Sequence, residues 1–216
     1  MSLDLSIGEV ESLVFKACRG AGMAWGIAED AGRIAGFLAR QNVDGLSALA
    51  SLLTQNDGKR FDDIAPMTSG DILRARGGTL CPVATGCLLS DLTGDLQTDY
   101  QFELENVSYP ILLAGFLGAI AERNGRTFEA TGKDLAFHCS PTGLYAIEEI
   151  NALPEVANIA VKSVKPVICL PNETAIRAIC SQAAFDTLSA FAHRTYVPAT
   201  EASRISGAGA GVNDND

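Results

Sequence analysis

The stretch from residue 100 to residue 140, YQFELENVSYPILLAGFLGAIAERNGRTFEATGKDLAFHCS, decides the fold class. It opens with Tyr100, Phe102 and Leu104 alternating with Gln101, Glu103 and Glu105, the period of a half-buried strand with one wet face. Pro110 suits a first helical position, where its missing N–H removes nothing. Ile111–Arg123 is apolar almost all round and predicts a buried helix, with Gly125 past its end. Arg126–Thr131 and Leu135–Ser140 predict two strands joined by a turn at Gly132-Lys133-Asp134. A strand, a buried helix and a hairpin in direct succession lack the alternation of a doubly wound sheet.

Upstream, helical spacing prevails. Ser6 with Glu9 three residues on is a capping-box signature. Val10, Leu13, Val14, Ala17 and Cys18 then predict a helix over Ile7–Arg19, stopped by Gly20. A second helix is expected over Ala24–Arg40, with Glu29 and Arg33 as an i,i+4 pair. Asp44-Gly45 reads as a turn before a short helix, Leu46–Leu53. Asn56–Gly78 is polar and reads as a long loop, with one helical turn near Asp71–Arg74. Thr79–Leu89, interrupted by Pro82 and Gly86, reads as a broken or edge strand. Downstream, Thr142–Leu153 reads as a helix, and Ala157–Val164 and Val167–Leu170 as β-rich. Asn172 and Glu173 are expected to start a last long helix whose buried face carries Ile176, Ile179, Cys180, Ala183, Leu188 and Phe191. The whole predicts an α+β fold: an N-terminal helical layer packed on a mixed or antiparallel sheet, then a long C-terminal helix followed by a Gly-rich segment. One domain over 1–216 is expected, the 56–78 loop being the only candidate boundary.

Composition narrows the function classes. Of 216 residues, 47% are hydrophobic and 19% charged, which excludes a disordered chain. A folded chain this long buries roughly 70% of its unfolded surface. The formal charge of −10 leaves no basic stripe for phosphates, so no nucleic-acid partner is expected. The apolar run at Ile111–Ala121 is shorter than the about 20 residues a bilayer requires, so no membrane partner is expected either. The acid near the N-terminus does not suit a signal peptide, and six scattered cysteines read as reduced, buried thiols. These features point to the cytoplasm.

The chemistry-bearing candidates concentrate at two places. The first is the turn Arg19-Gly20-Ala21-Gly22-Met23-Ala24-Trp25-Gly26, where Trp25 is either a hydrophobic anchor or a pocket wall. The second is the segment from Arg194 to Asp216. Its Tyr196, Thr200, Ser203 and Arg204 offer hydroxyls and a guanidinium able to grip a carboxylate or phosphate bidentately. Glu201 adds a carboxylate for acid, base or anchoring work. Gly207, Gly209 and Gly211 would let backbone N–H groups face an anion, yet no P-loop or dinucleotide fingerprint surrounds them. Asp214 and Asp216 read as a solvated terminus. His138 and Cys139 would point to opposite faces of a strand, and His138 is a second acid–base candidate. His193 complements the end of the last helix. The cysteine spacing fits no zinc site, and no metal or other cofactor is indicated.

Arg-Gly-Ala-Gly at 19–22, Trp-Gly at 25–26, Ala-Glu at 28–29 and the whole of Arg194–Asp216 resemble an uncharacterised bacterial family, domain of unknown function number 3726. The resemblance runs over nearly the full length, strongest at both ends. It implies a soluble bacterial protein and brings no activity, cofactor or catalytic residue. The expected function is therefore the binding or transformation of a small anionic metabolite at a site joining the Trp25 turn to the C-terminal segment. The alternative is an accessory subunit without chemistry, whose C-terminal segment docks on a partner or on a second copy of the chain as a homo-oligomer.

Overall fold

The computed structural model describes residues 2–93, 100–146, 153–165 and 174–196. The chain begins with a strand, β1 (Ser2–Ser6), which the periodicity did not reveal. Helix α1 (Ile7–Gly20) starts at the predicted capping box. The Ser6 N–H donates to Glu9 Oε2 at 2.7 Å, and the Glu9 N–H donates to Ser6 Oγ at 3.3 Å. The Ser6 backbone hydrogen bond, helped by its side chain, holds the Glu9 carboxyl below the usual glutamate range. Helices α2 (Trp25–Arg40) and α3 (Gly45–Asn56) follow as expected, and Asp44 caps α3 through the Ser47 N–H at 3.0 Å. Arg33 pairs with Asp30 at 3.2 Å rather than with Glu29. Close approach of α1 to α2 depends on Gly32, where a Cβ would lie 2.8 Å from the Glu11 carbonyl oxygen.

Four expectations are corrected. The Asn56–Gly78 stretch holds α4 (Phe61–Ile64) and the hairpin strands β2 (Met67–Ser69) and β3 (Ile72–Arg74). Most of their residues are exposed, so they carry no hydrophobic alternation to read; their order comes from the partner strands. Next, Thr79–Leu89 is not a strand. Helix α5 (Pro82–Leu92) occupies it, with Pro82 in its first turn. The helix is buried nearly all round, which erases the 3.6 period, and Gly86 is required by the ring of Phe116. Third, Thr142–Leu153 does not begin as a helix. After β4 (Gln101–Ser108), α6 (Ile111–Asn124), β5 (Thr127–Gly132) and β6 (Leu135–Ser140), the chain turns at Pro141-Thr142 into β7 (Gly143–Ala146). Gly143 adopts φ +141°, a conformation that L side chains rarely take. Finally, the last helix is shorter than expected. After β8 (Val156–Val164), strand β9 (Arg177–Ser181) pairs with β1, and α7 (Gln182–His193) begins at Ser181, which accepts from the Ala184 N–H at 3.2 Å. Ile176 and Ile179 are therefore 82% and 69% exposed, whereas Cys180, Leu188 and Phe191 are buried. Spacings of three and four fit a helix, but the strand turns Cys180 inward and Ile179 outward. Val167–Leu170, Asn172 and Glu173 lie outside the described residues.

The fold is α+β. Among the described residues, a mixed seven-stranded sheet runs β2-β3-β4-β8-β5-β6-β7, with only β3 and β4 parallel, beside the two-stranded β1-β9 ribbon. Helix α6 packs on β5, β6 and β7, α2 and α5 pack on α6, and α1 lies between α2 and α7. The N-terminal helices thus reach the large sheet chiefly through α6. Cys18, Cys81, Cys139 and Cys180 are buried free thiols, as expected, whereas Cys87 is a free thiol only partly buried; burial pushes the Cys18 thiol up to about 12. Cys169 lies outside the described residues. No described helix is long and apolar enough to cross a membrane.

Candidate ligand clefts on the two sides of α1

The capping box fixes the start of α1, and its helical period then sets Gly8, Ser12 and Lys16 along one side at steps of four. Between this side and α7 lies an open cleft of about 500 Å³, walled by Ser189, His193 and Tyr196. On the α2 side a second cleft, about 360 Å³, shares Gly8 and Ser12 and is walled by Phe15, Trp25 and Arg33. Trp25 and Tyr196, singled out from the sequence, therefore sit in adjoining clefts across one helix.

Trp25 is a pocket wall rather than a buried anchor: it is 61% exposed. Phe15 meets its ring edge-on at 5.1 Å between centroids, and the Arg19 guanidinium stands 5.5 Å from the ring centre. Arg19 also donates to the Met23 carbonyl, which ties the end of α1 to the turn carrying Trp25. Across α1, Tyr196 is half exposed and packs edge-on against His193 at 5.1 Å. His193 occupies the last turn of α7, as expected.

The position of Tyr196 is set by contacts that sequence reading missed. Gly20 lets α1 touch α7 backbone to backbone, since a Cβ there would overlap the Phe191 carbonyl. Arg194 donates to both carboxylate oxygens of Asp57 at 2.7 and 2.9 Å, and its guanidinium lies 4.2 Å from the Phe191 ring centre. The Arg194 hydrogen bond holds the Asp57 carboxyl below the usual aspartate range. Lys16 was also missed. It makes no ion pair among the described residues, whereas the Glu9 carboxylate in the same cleft is engaged by Ser6. The signal was available: Gly8, Ser12 and Lys16 form a single row at helical spacing.

Among the described residues, the clefts thus combine the Lys16 ammonium without an ion pair, the Arg33 guanidinium, hydroxyls from Ser12 and Ser189, the carboxylates of Glu9, Glu11 and Glu29, and one aromatic wall on each side of α1. Such a set can hold a small anion beside a flat apolar surface. Thr200, Glu201, Ser203 and Arg204 lie outside the described residues, as do Gly207, Gly209, Gly211, Asp214 and Asp216. His138 lines neither cleft. It stands on β6 opposite Glu129, with Cys139 on the reverse face, as expected of strand neighbours. Among the described residues, no group of three or more His, Cys, Asp or Glu side chains is arranged to hold a metal ion.

With the geometry established, comparison with known proteins adds one finding. Residues 5–81 match the family described as Protein of unknown function (DUF3726). The matched residues are similar to that family over about a third of the chain. The match runs from the end of β1 through β3 and takes in the Arg19–Gly22, Trp25-Gly26 and Ala28-Glu29 motifs; it ends at Cys81, just before α5, and Arg194–Asp216 lies outside it. No curated protein matches the sequence. Among solved structures, the malate dehydrogenase of Entamoeba histolytica is similar over 64% of this chain, at 10% identity and a TM-score of 0.46. The match takes in 44% of that enzyme's length. A likeness this distant says nothing about activity.

Proposed function

We propose that the protein binds a small anionic metabolite in the clefts flanking α1. In the cleft against α7, Lys16 is the cation that meets it and Tyr196 is its aromatic wall; Trp25 walls the adjoining cleft on the α2 side. The observation that carries this reading is a lysine without an ion pair among the described residues, lining with hydroxyls and aromatic rings a cleft of about 500 Å³, within the volume range of about 300–1,000 Å³ common to ligand sites. In the same reading, Thr200, Ser203 and Arg204 add hydroxyls and a bidentate guanidinium. Arg204 follows Tyr196 by eight residues, and at about 3.3–3.6 Å per extended residue it has ample reach. Glu201 is then the group placed to anchor the ligand or exchange a proton with it.

The test is thermal denaturation against inorganic phosphate and a panel of small mono- and dicarboxylates. A ligand at a hundred times its Kd adds about 2.7 kcal/mol, a rise of roughly 5–10 °C for a chain of this size. Lys16→Ala is expected to weaken the responding anion by about tenfold or more. No response to any anion, or a response unchanged in Lys16→Ala and Arg204→Ala, would refute the reading.

A second reading rests on Trp25 itself. An exposed tryptophan beside a phenylalanine and an arginine has the composition of an interface hot spot, which suits an accessory subunit. In that case Trp25→Ala abolishes association with a partner or second copy and leaves anion binding unchanged.

A further inference from the structure

The large sheet carries α6 on one face: the Cys139 thiol donates to the Ala114 carbonyl of α6 at 3.4 Å. On the opposite face, strand register aligns Gln101, Lys162, Glu129, His138 and Tyr145 in one row across β4, β8, β5, β6 and β7. Adjacent members of the row stand about 4.8 Å apart along the sheet. Five polar side chains on five neighbouring strands are more than solvation of the face requires, because the central two are mostly buried. The side chains of Glu129 and His138 are 21% and 22% exposed.

The centre of the row is incomplete. Lys162 Nζ lies 2.5 Å from Glu129 Oε2. The other carboxylate oxygen, Oε1, is 3.8 Å from His138 Nε2, beyond the hydrogen-bond range of about 2.7–3.2 Å. His138 Nδ1 is buried without a hydrogen-bond partner. Neither ring nitrogen therefore makes a hydrogen bond among the described residues; Nδ1 is the buried one of the two, although buried polar atoms are nearly always paired. The gap is less than twice a normal bond of about 2.8 Å, so one oxygen atom seated over it would bond both groups. Beyond His138, hydroxyls continue the polar surface: Ser140 Oγ lies 2.9 Å from Thr142 Oγ1, which lies 3.0 Å from Tyr145 Oη.

The chemistry of the row selects the ligand. A hydroxyl donates its one hydrogen to Glu129 Oε1 and accepts, through a lone pair, from the imidazole that carries its proton on Nε2. A carboxylate or phosphate would bring like charge onto Glu129, and an ammonium would face Lys162. We propose that this row is a second binding site, for a neutral polyhydroxylated ligand of the monosaccharide or sugar-alcohol class. One hydroxyl bridges Glu129 Oε1 and His138 Nε2, and neighbouring hydroxyls meet Lys162 and Tyr145. The site is independent of the anion clefts beside α1.

The sequence contains two histidines, one in each site, so the full chain labelled with ¹⁵N-histidine reads both at once. D-glucose, D-ribose and D-mannitol are titrated separately, with inorganic phosphate alongside as the probe of the α1 cleft. At least one polyol is expected to shift the His138 ring signals saturably, at about millimolar affinity, and to leave His193 in place. The near-isosteric Glu129→Gln should weaken that polyol by about tenfold or more. His138 signals that none of the three polyols moves would overturn the proposal. So would shifts of equal size and midpoint in Glu129→Gln. Phosphate acts on His193, so failure of the anion reading leaves this outcome untouched.

Discussion

Replacing Gly86 with alanine tests the least expected helix of the fold. A Cβ at position 86 would lie 2.1 Å from Phe116 Cγ and 2.2 Å from Cδ2. Ordinary carbon contacts sit at about 3.5–4.0 Å, so the ring would have to retreat by more than an ångström. Phe116 is buried on α6, and a close-packed interior offers no void to receive it. Two effects oppose each other. Alanine is favoured over glycine in a helix interior by about 1 kcal/mol. Overpacking a core usually costs about 1–3 kcal/mol, and an overlap this deep belongs at the upper end. The expected net loss is about 2 kcal/mol, a fall in Tm of roughly 4–8 °C for a chain of this length. Thermal and urea denaturation followed by circular dichroism measure it. Phe116→Ala removes the overlapping Cγ and Cδ atoms. The double variant should therefore lose at least about 1 kcal/mol less than the sum of the two single changes. A Gly86→Ala protein as stable as the parent would mean that helix propensity prevails. That result would refute the packing of α5 on α6.

Further outcomes follow from the same contacts. The Asp57 carboxyl titrates lower in the folded chain than its ordinary 3.8 because Arg194 bonds it. Its contribution is therefore present above that value and is lost as pH falls through the lower folded value. Arg194→Ala should flatten the stability profile in that acid window, read by urea denaturation at stepped pH, and an unchanged profile would contradict the pairing. Ser6→Ala removes the N-cap hydroxyl of α1 and should cost about 1 kcal/mol, the usual value of such a cap; Ser6→Thr should restore most of it. Cys18 and Cys139 are buried, and burial raises both thiols. Peptide mapping after mild alkylation should find both unmodified until the chain unfolds, and rapid labelling of either in the native state would contradict their burial.

Legibility in the sequence followed where the signals were local or periodic. The capping box at Ser6 and Glu9, the alternation at Phe102 and Leu104, and the turn at Gly132-Lys133-Asp134 all specify their structure from neighbouring residues. The class α+β followed from them. Signals failed where burial was uniform or absent. Helix α5 is apolar on every side and resembles a strand broken by Pro82 and Gly86. Strands β2 and β3 are mostly exposed and owe their order to β4. Ile176, Ile179 and Cys180 satisfy helical spacing, and only pairing with β1 makes them a strand. The candidate site was half legible. Trp25 and Tyr196 stood out by residue type, but Lys16 gains its meaning from the cleft that α7 forms against α1. The Glu129–His138 gap depends on sheet register, which no single strand encodes.

The measurement that bears most directly on the anion site is native mass spectrometry of the purified full chain, after incubation with phosphate and the small carboxylates. The account predicts a small-molecule adduct that survives gentle ionisation, vanishes on denaturation, and is absent from Lys16→Ala. A bare chain mass with every anion, or an adduct retained at full occupancy by Lys16→Ala, would contradict it.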